Sequence, residues 1–253
     1  MSRHLAINVS SYGASFVTIS AAGSIQQHTL VFESVQADEI KKALNHAFET
    51  EALLKSDFSE VTVAWSTQKS TLVPNNVFAE SSSKAIYNLC FGDSVSEGDI
   101  DYNRIAELSV VNVFEIPIWL KSYFVIKFPR VIIQHTGTHA LRKAIGSNSF
   151  KLKATAVVHD SFFQLTLVKH NNLEFYSFFD AQSAEDVIYH LMFTLQQKEM
   201  VDDKGTIELS PGTGGSNLDL KEISSGLEKI KGLSGFKITI EEDFVAKAQQ
   251  LCV

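Results

Sequence analysis

A repeated order of strands and helices is the sequence feature that most constrains how this chain can fold. In the first half, residues 5–19 and 25–32 are rich in Val, Ile, Phe and Thr and flank a turn sequence at residues 21–24, which predicts a β-hairpin. Acidic residues and apolar positions at helical spacing then predict a helix that begins at Ala37. A strand pattern follows at residues 61–65. The predicted order is therefore hairpin, helix, strand.

The second half repeats this order. Residues 156–168 and 173–179 are again strand-like, a helix pattern begins at Ala184, and residues 206–210 follow as a strand. Five residue pairs in the two halves share one separation of 147 positions: Phe32 and Phe179, Ala37 and Ala184, Glu39 and Asp186, Ile40 and Val187, and Leu44 and Leu191. Two β-β-α segments can also align by chance, but agreement of order and register favours a structural duplication.

The duplication predicts two halves of similar construction. We place the first half at residues 1–148 and the second at residues 149–253, with an insertion in the first half at about residues 75–130. The chain is 45% hydrophobic and 20% charged and has only 4 prolines, so it can bury a sizeable core. Disordered, collagen-like and low-complexity classes are excluded on the same grounds.

Charge and cysteine usage restrict the expected partners and compartment. The 22 Lys and Arg residues are outnumbered by 29 Asp and Glu residues, and no basic block is present, so we expect no nucleic-acid partner. The spacing of Cys90 and Cys252 indicates neither a metal site nor a disulfide framework, which is typical of a reducing compartment. No apolar run approaches a membrane span of about 20 residues or a signal peptide. We therefore expect a cytoplasmic protein that does not bind membranes.

Four segments carry a resemblance to a known family: residues 71–78, 111–117, 172–179 and 184–191. They resemble a bacterial family of unknown function with an actin-like ATPase fold. The resemblance implies an α/β protein of two ribonuclease-H-like β-β-β-α-β halves, as in actin, sugar kinases and heat-shock chaperones, which hold a nucleotide in the cleft between the halves. That family has no assigned biochemical role, so the resemblance leaves the function open.

In active members of that superfamily, the first hairpin turn of each half is a phosphate loop that needs small residues and an aspartate for Mg²⁺. In the first turn, Asn8, Ser11 and Gly13 are candidate nucleotide contacts. Asn8 or Ser10 stands where the acid is expected, however, and a neutral side chain cannot offset the charge of Mg²⁺. We therefore expect this turn to be a degenerate phosphate loop.

The second hairpin turn has an acid but lacks other features of a phosphate loop. Asp160 supplies an acid and Ser161 a hydroxyl, and both are candidate nucleotide contacts. The turn has no glycine, and Phe162 and Phe163 stand where a phosphate would need bare backbone. Two ordinary hairpin turns with polar caps explain both sequences without a ligand. Hydrolysis of a nucleotide is therefore not expected.

A glycine-rich loop at residues 210–217 lies between a predicted strand and a predicted helix, where the superfamily's adenosine loop belongs. Gly214, Gly215 and Ser216 are candidate nucleotide contacts there, since glycines let a purine and ribose lie against the backbone. An ordinary flexible loop has the same composition. Ser216 and Asp219 also match a capping box, which predicts that the helix follows Ser216.

Other polar residues are interpreted structurally. His135 and His139 flank a predicted break at Gly137, which favours solvated histidines in a polar turn over a metal site. His159 and Asp160 could form an acid/base dyad if they were buried in a cleft. We interpret them instead as a satisfied pair at the surface, because adjacent strand residues point to opposite faces. Cys90 lies within an apolar helix and is predicted to be a small buried residue.

Residues 175–179 are apolar on both faces of the predicted strand. Such a pattern indicates either a central strand packed on both sides or a strand whose outer face meets a partner. Core packing is the default interpretation.

These observations favour a non-catalytic interaction or scaffold protein that uses no cofactor and has a protein partner or forms a homodimer. Two alternatives stay open. One is a divergent ATPase or phosphotransferase that binds ATP with Mg²⁺, with Asp160 at the metal and residues 214–216 at the adenosine. The other is a sensor of a small metabolite.

Overall fold

The structure is a computed structural model that describes residues 3–20, 22–92, 100–147, 150–213 and 218–252. The chain divides into two units. One comprises Met1–His139 with Gln249–Val253, and the other comprises Ala140–Ala248. Each unit is built around one five-stranded sheet.

The strands and helices alternate along the chain. The strands are β1 (Arg3–Val9), β2 (Gly13–Ser20), β3 (Ile25–Val31), β4 (Glu60–Trp65), β5 (Ser70–Pro74), β6 (Ile100–Ile105), β7 (Val110–Glu115), β8 (Ile132–His135), β9 (Leu152–Val158), β10 (Phe162–Lys169), β11 (Asn172–Asp180), β12 (Gly205–Pro211) and β13 (Phe236–Ile240). The helices are α1 (Ala37–Thr50), α2 (Ser83–Phe91), α3 (Ile118–Lys127), α4 (Thr136–Gly146), α5 (Ala184–Gln197), α6 (Leu220–Glu228) and α7 (Phe244–Gln249). Among the described residues, no helix has both the length and the apolar character needed to cross a membrane.

The two sheets have the same topology. The strand order is β3-β2-β1-β4-β8 in the first sheet and β11-β10-β9-β12-β13 in the second. In each sheet the first three strands form an antiparallel meander, and the last two strands are added parallel to the first strand of that meander. The predicted α/β fold with duplicated ribonuclease-H-like halves is confirmed.

The helices confirm the predicted offset of 147 residues. α1 begins at Ala37 and α5 at Ala184, a separation of 184 minus 37. The buried residues of α1 are Ile40, Leu44, Ala47 and Phe48, and those at the same offset in α5 are Val187, Leu191, Thr194 and Leu195. The same helical face is therefore buried in both units.

The hairpins follow a different offset. Val9 pairs with Ala14 in the first sheet, and Val158 pairs with Phe163 in the second, which is an offset of 149 residues (158 minus 9). The predicted equivalence of Phe32 and Phe179 is therefore wrong. The N–H of Phe32 donates to the carbonyl of Tyr12 as that of Ala181 donates to Ser161, so Phe32 corresponds to Ala181. The offset falls by two because three residues link β11 to α5, whereas five link β3 to α1.

The core of the first unit lies between its sheet and two helices. α1 places Leu44 and Phe48 on the sheet, where Phe48 contacts Phe16 edge to face at 5.4 Å. Phe124 of α3 is fully buried in the same core. Complete burial of each such side chain contributes about 1.5–3 kcal/mol to folding.

In the second unit, α5 and α6 pack side by side on the sheet. Leu191 of α5 and Leu227 of α6 are fully buried. Gly226 of α6 permits this close packing, because a Cβ atom there would lie 2.4 Å from Cδ1 of Ile188. α5 also begins with a complete capping box, in which Ser183 and Asp186 exchange hydrogen bonds.

β5, β7 and β6 form a separate three-stranded antiparallel sheet within the first unit. α2 packs on this sheet through Tyr87, which is fully buried, and Phe91, which is partly buried. Because α2 presents only this short face, Cys90 is exposed. The prediction that Cys90 is buried is therefore wrong.

Candidate functional site

Two residues of the first hairpin turn, between β1 and β2, have backbone N–H groups that are already hydrogen-bonded. The hydroxyl oxygen of Ser10 accepts from the N–H groups of Tyr12 at 3.1 Å and Gly13 at 3.2 Å. The Ser10 N–H in turn donates to the Gly13 carbonyl at 2.9 Å. Ser11 is half-buried at the turn. The N–H groups of Tyr12 and Gly13, which a phosphate loop could use to bind an anion, are therefore already bonded within the turn.

Asn8 belongs to a buried chain of hydrogen bonds in the first unit. Its Nδ2 donates to Ser15 Oγ at 3.2 Å, and its Oδ1 accepts from Nε2 of Gln249. Oε1 of Gln249 accepts from the Thr62 hydroxyl at 2.6 Å, and the Thr62 oxygen lies 2.8 Å from Nε2 of His4. Because the Thr62 proton is directed to Gln249, His4 is the donor in the last contact.

This network contains no carboxylate. Burial lowers the pKa of His4, with a smaller opposing effect from Glu60, so the imidazole is neutral near pH 7. Mg²⁺ prefers carboxylate and phosphate oxygens in octahedral geometry. Asn8, whose amide groups are both bonded within the protein, therefore does not fit the role of the missing aspartate.

The equivalent place in the second sheet is charged. The offset of 149 residues makes Lys153 the counterpart of His4. Because β4 pairs with β1 as β12 pairs with β9, Glu208 is the counterpart of Thr62. Nζ of Lys153 lies 3.2 Å from Oε1 of Glu208, and both side chains are mostly buried. The duplicated sheets thus hold a neutral hydrogen bond in one unit and an ion pair in the other.

The second hairpin turn, between β9 and β10, is covered by an imidazole. The ring of His159 stacks on Phe162 with centroids 4.3 Å apart and planes 14° from parallel. Its Nδ1 lies 3.4 Å from the N–H of Thr213, which donates to it. Gly212 lies against the same ring, and a Cβ atom there would come within 2.2 Å of Nδ1. The ring therefore fills the space between the turn and the end of β12.

His159 is only 3% exposed, so its interpretation as a surface residue is wrong. The physical reason is the absence of a side chain at Gly212, which lets the ring lie against the backbone that follows β12. Asp160 and Ser161 follow His159 in the turn and are half-buried. The tertiary structure thus brings this turn and Gly212 together, which sequence spacing did not indicate.

The glycine-rich loop is described only up to Thr213 and again from Leu218. Gly214, Gly215 and Ser216 lie outside the described residues. α6 begins at Leu220, and its N-cap is Asp219, whose carboxylate accepts from the N–H of Lys221 at 2.8 Å. The predicted cap at Ser216 is therefore replaced by Asp219.

His135, at the end of β8, is fully buried and hydrogen-bonded at both ring nitrogens. Nδ1 accepts from the N–H of Gly137 at 3.0 Å and lies 3.2 Å from Nδ2 of Asn112. Nε2 donates to the Thr67 carbonyl at 2.9 Å. Burial lowers the pKa of His135 to about 4, although the bond to Thr67 opposes this shift. His135 and His139 are both buried, so the prediction of solvated histidines is wrong.

The polar residues of the two turns do not fit a magnesium-bound nucleotide as they are arranged. In the first unit the turn's own hydroxyl occupies two backbone donors, and in the second unit an aromatic pair covers the turn. Within the described part of the chain, no group of three or more His, Cys, Asp or Glu side chains is placed to hold a metal ion.

The duplicated sheets and their hairpin turns define a protein with the actin-like ATPase fold. Similar solved structures include a protein of unknown function with an actin-like ATPase fold from Bacteroides thetaiotaomicron VPI-5482. The two share 18% identity with a TM-score of 0.76, over 99% of this chain and 96% of that chain. A chain of the PilM-PilN type IV pilus biogenesis complex is similar at 11% identity and a TM-score of 0.57, over 97% of this chain and 89% of that chain.

Residues 2–213 match the model of DUF3822, a family of proteins of unknown function. The chain belongs to this family. No curated protein sequence matches it.

Proposed function

We propose that this protein is a non-catalytic member of the actin-like fold that acts as an interaction or scaffold module. The observation that carries the proposal is the self-bonded first turn, where the Ser10 hydroxyl occupies the N–H groups of Tyr12 and Gly13. An anion that entered this turn would have to displace the hydroxyl, which opposes phosphate binding. Asn8 also supplies no carboxylate for a Mg²⁺ ion that would bridge to the phosphate.

The second turn supports the same proposal. A phosphate near Asp160 would have to displace the stacked rings of His159 and Phe162, which are mostly buried. Moving these aromatic rings into water opposes binding, because their burial stabilises the fold. Asp160 alone then offers a single carboxylate, which is a poor Mg²⁺ site without phosphate ligands.

The interaction role has independent support. A chain of the PilM-PilN complex has a similar fold, so this fold occurs in proteins that work as parts of a complex.

We also propose a reducing compartment such as the cytoplasm, which the exposed free thiol of Cys90 supports.

The test is a measurement of ATP turnover together with the melting temperature in the presence of ATP and Mg²⁺. We expect no turnover above the buffer rate and no shift in melting temperature. The matched variants are Asp160→Ala in the second turn and Asp202→Ala, which removes an exposed acid elsewhere in the same unit. Turnover that is lost in Asp160→Ala and kept in Asp202→Ala overturns the proposal in favour of a divergent ATPase.

A further inference from the structure

Polar side chains cross the second sheet in a single row. Strand pairing places one residue of each strand side by side on the same face of the sheet: Tyr176 of β11, Thr166 of β10, Thr155 of β9, Glu208 of β12 and Thr239 of β13. Thr155 and Thr166, at the centre of this polar row, are each only 1% exposed. Polar groups buried in this way need hydrogen-bond partners, either from the protein or from bound water.

The polar row lies on the face opposite the hydrophobic core of the second unit. Ala154 and Ala156, which flank Thr155 along β9, belong to that core, and successive residues of a strand point to opposite faces. Thr155 therefore points away from the apolar packing. Its hydroxyl has to find a partner on the polar face, because burial without one is unfavourable.

Two buried atoms on the polar face make no hydrogen bond with any residue that the structure describes. They are Oγ1 of Thr155 and Oε1 of Gln164. Gln164 is fully buried, and its Nε2 donates to Oγ1 of Thr166 at 3.2 Å. Turning the amide over would exchange its oxygen and nitrogen, and a donor would then be left over instead. In either orientation, one end of the Gln164 amide needs a partner.

The two atoms are close enough for one small molecule to bridge them. Thr166 is directly opposite Thr155, and Gln164 precedes Thr166 by two residues on the same face of β10. Gln164 is therefore the diagonal neighbour of Thr155, and such residues lie about 7–8 Å apart along the backbone. The bond to Thr166 shows that the Gln164 side chain extends towards the polar row. A single water molecule joins oxygen atoms that are about 4.5–5.5 Å apart.

The first sheet satisfies its polar face with a side chain. Gln249 donates to Asn8 and accepts from Thr62. At the offset of 149 residues, Ala6 stands where the second sheet has Thr155, so the first sheet has no hydroxyl to satisfy at that position. In the second sheet, no side chain from the described part of the chain bonds to the Thr155 hydroxyl.

We infer that the polar face of the second sheet binds an internal water molecule between Thr155 and Gln164. The Thr155 hydroxyl donates to the water, and the water donates to Oε1 of Gln164. Glu208 and Thr166 flank Thr155 in the polar row and offer further oxygen atoms to the second hydrogen of the water. The water thus has the about two to four polar partners that buried waters have in proteins.

The charges at the site favour a neutral ligand. Nζ of Lys153 lies 3.2 Å from Oε1 of Glu208, so the carboxylate already has a cation beside it. An added cation would be repelled by Lys153, and an added anion would be repelled by Glu208. Water both donates and accepts hydrogen bonds and carries no charge. The inference does not rest on the proposed lack of catalysis, because no group of the two hairpin turns takes part in it.

The test is the number of long-lived internal waters in the full chain, measured by magnetic relaxation dispersion of the water oxygen. Thr155→Val keeps the shape of the side chain and removes the hydroxyl, and Gln164→Met removes the amide. We expect each variant to lose the contribution of about one water molecule. The double variant should lose the same single water and not two, because one molecule bridges both side chains.

The matched control is Thr18→Val on β2, which removes a threonine hydroxyl that is 2% exposed in the first sheet. This variant should keep the number of internal waters unchanged. A double variant of Thr155 and Gln164 that folds and keeps every internal water overturns the inference.

A crystal structure of the unmodified chain gives a second measurement, which needs no variant to fold. We expect a water oxygen within about 3.2 Å of both Oγ1 of Thr155 and Oε1 of Gln164. A direct hydrogen bond from Thr155 to Glu208, with no water between Thr155 and Gln164, overturns the inference.

Discussion

The imidazole of His159 lies so close to Gly212 that a Cβ atom at residue 212 would come within 2.2 Å of its Nδ1. Real Cβ atoms do not approach a ring so closely, so any larger residue at this position forces the ring or the strand end to move. The contact joins the end of β9 to the segment after β12. The same contact places the imidazole over the hairpin turn between β9 and β10.

Gly212→Ala is expected to destabilise the protein by about 1–3 kcal/mol, because the added methyl group overpacks a filled space. The measurement is the free energy of unfolding in urea, for this variant, for His159→Ala and for the double variant. Removing the ring makes room for the methyl group, so the double variant should be more stable than the sum of the single effects allows. Simple additivity would show that the ring and the glycine do not contact each other in solution.

Gln249→Ala is expected to cost about 1–3 kcal/mol of stability. The substitution leaves the amide oxygen of Asn8 and the hydroxyl of Thr62 without their buried partner. Gln250→Ala serves as the control, since Gln250 is the next residue but is exposed. Its effect should stay within about 0.5 kcal/mol. Equal effects of the two substitutions, measured by urea unfolding, would argue against the buried chain of hydrogen bonds.

His135 should make the protein less stable in mild acid. Its pKa is about 4 in the folded state because of burial, whereas an unfolded histidine has a pKa of about 6.5. Between these values the unfolded chain binds a proton that the folded chain excludes, so stability is complete above about pH 6.5 and falls as the pH decreases towards 4. The loss from this one group is about 3 kcal/mol.

The measurement is the pH dependence of the free energy of unfolding between these limits. In His135→Gln, the contribution of this group to the slope disappears, whatever the stability of the variant near pH 7. The difference between the two slopes isolates His135 from His4, whose pKa is also lowered by burial. Identical slopes for the two proteins would contradict a neutral, buried His135.

The ion pair between Lys153 and Glu208 stands where the other sheet has a neutral hydrogen bond, and its contribution to stability can be tested. Lys153→Met leaves the mostly buried Glu208 without its ion-pair partner and should cost about 3 kcal/mol. Replacing both members, in Lys153→Met with Glu208→Leu, should restore most of that loss, because an apolar pair of similar volume needs no charge compensation. A double variant as unstable as Lys153→Met would indicate that Glu208 has a further essential partner.

The apolar periodicity of α1 and α5 was sufficient to predict both helices and their common offset, because a helix buries one face whatever lies against it. The hairpin offset was not predictable in this way. Phe32 and Phe179 match in type, but strand pairing aligns Phe32 with Ala181. A strand can slide along its neighbour without changing its composition, so backbone pairing decides which residues correspond.

Some features of the candidate site were likewise predictable from the sequence, and others required the structure. The missing acid at Asn8 and the phenylalanines of the second turn are properties of the sequence, and they already argue against phosphate binding. The capture of two backbone N–H groups by Ser10 and the covering of the second turn by His159 required the structure. No local pattern marks either contact, because a short polar turn is compatible with several hydrogen-bonding arrangements.

Residue types alone were sufficient to predict two strand-rich units with amphipathic helices, and they favoured hairpin turns without a metal-bound phosphate. Only the tertiary structure decided that His159 is buried, that Cys90 is exposed and that the aromatic strand β11 lies at a sheet edge. The spacing of apolar residues indicates which face of a helix or strand is buried, because buried positions are mostly occupied by apolar side chains. It does not record what lies beside that element, since contacts between distant segments depend on strand order and on the space that residues such as Gly212 leave open.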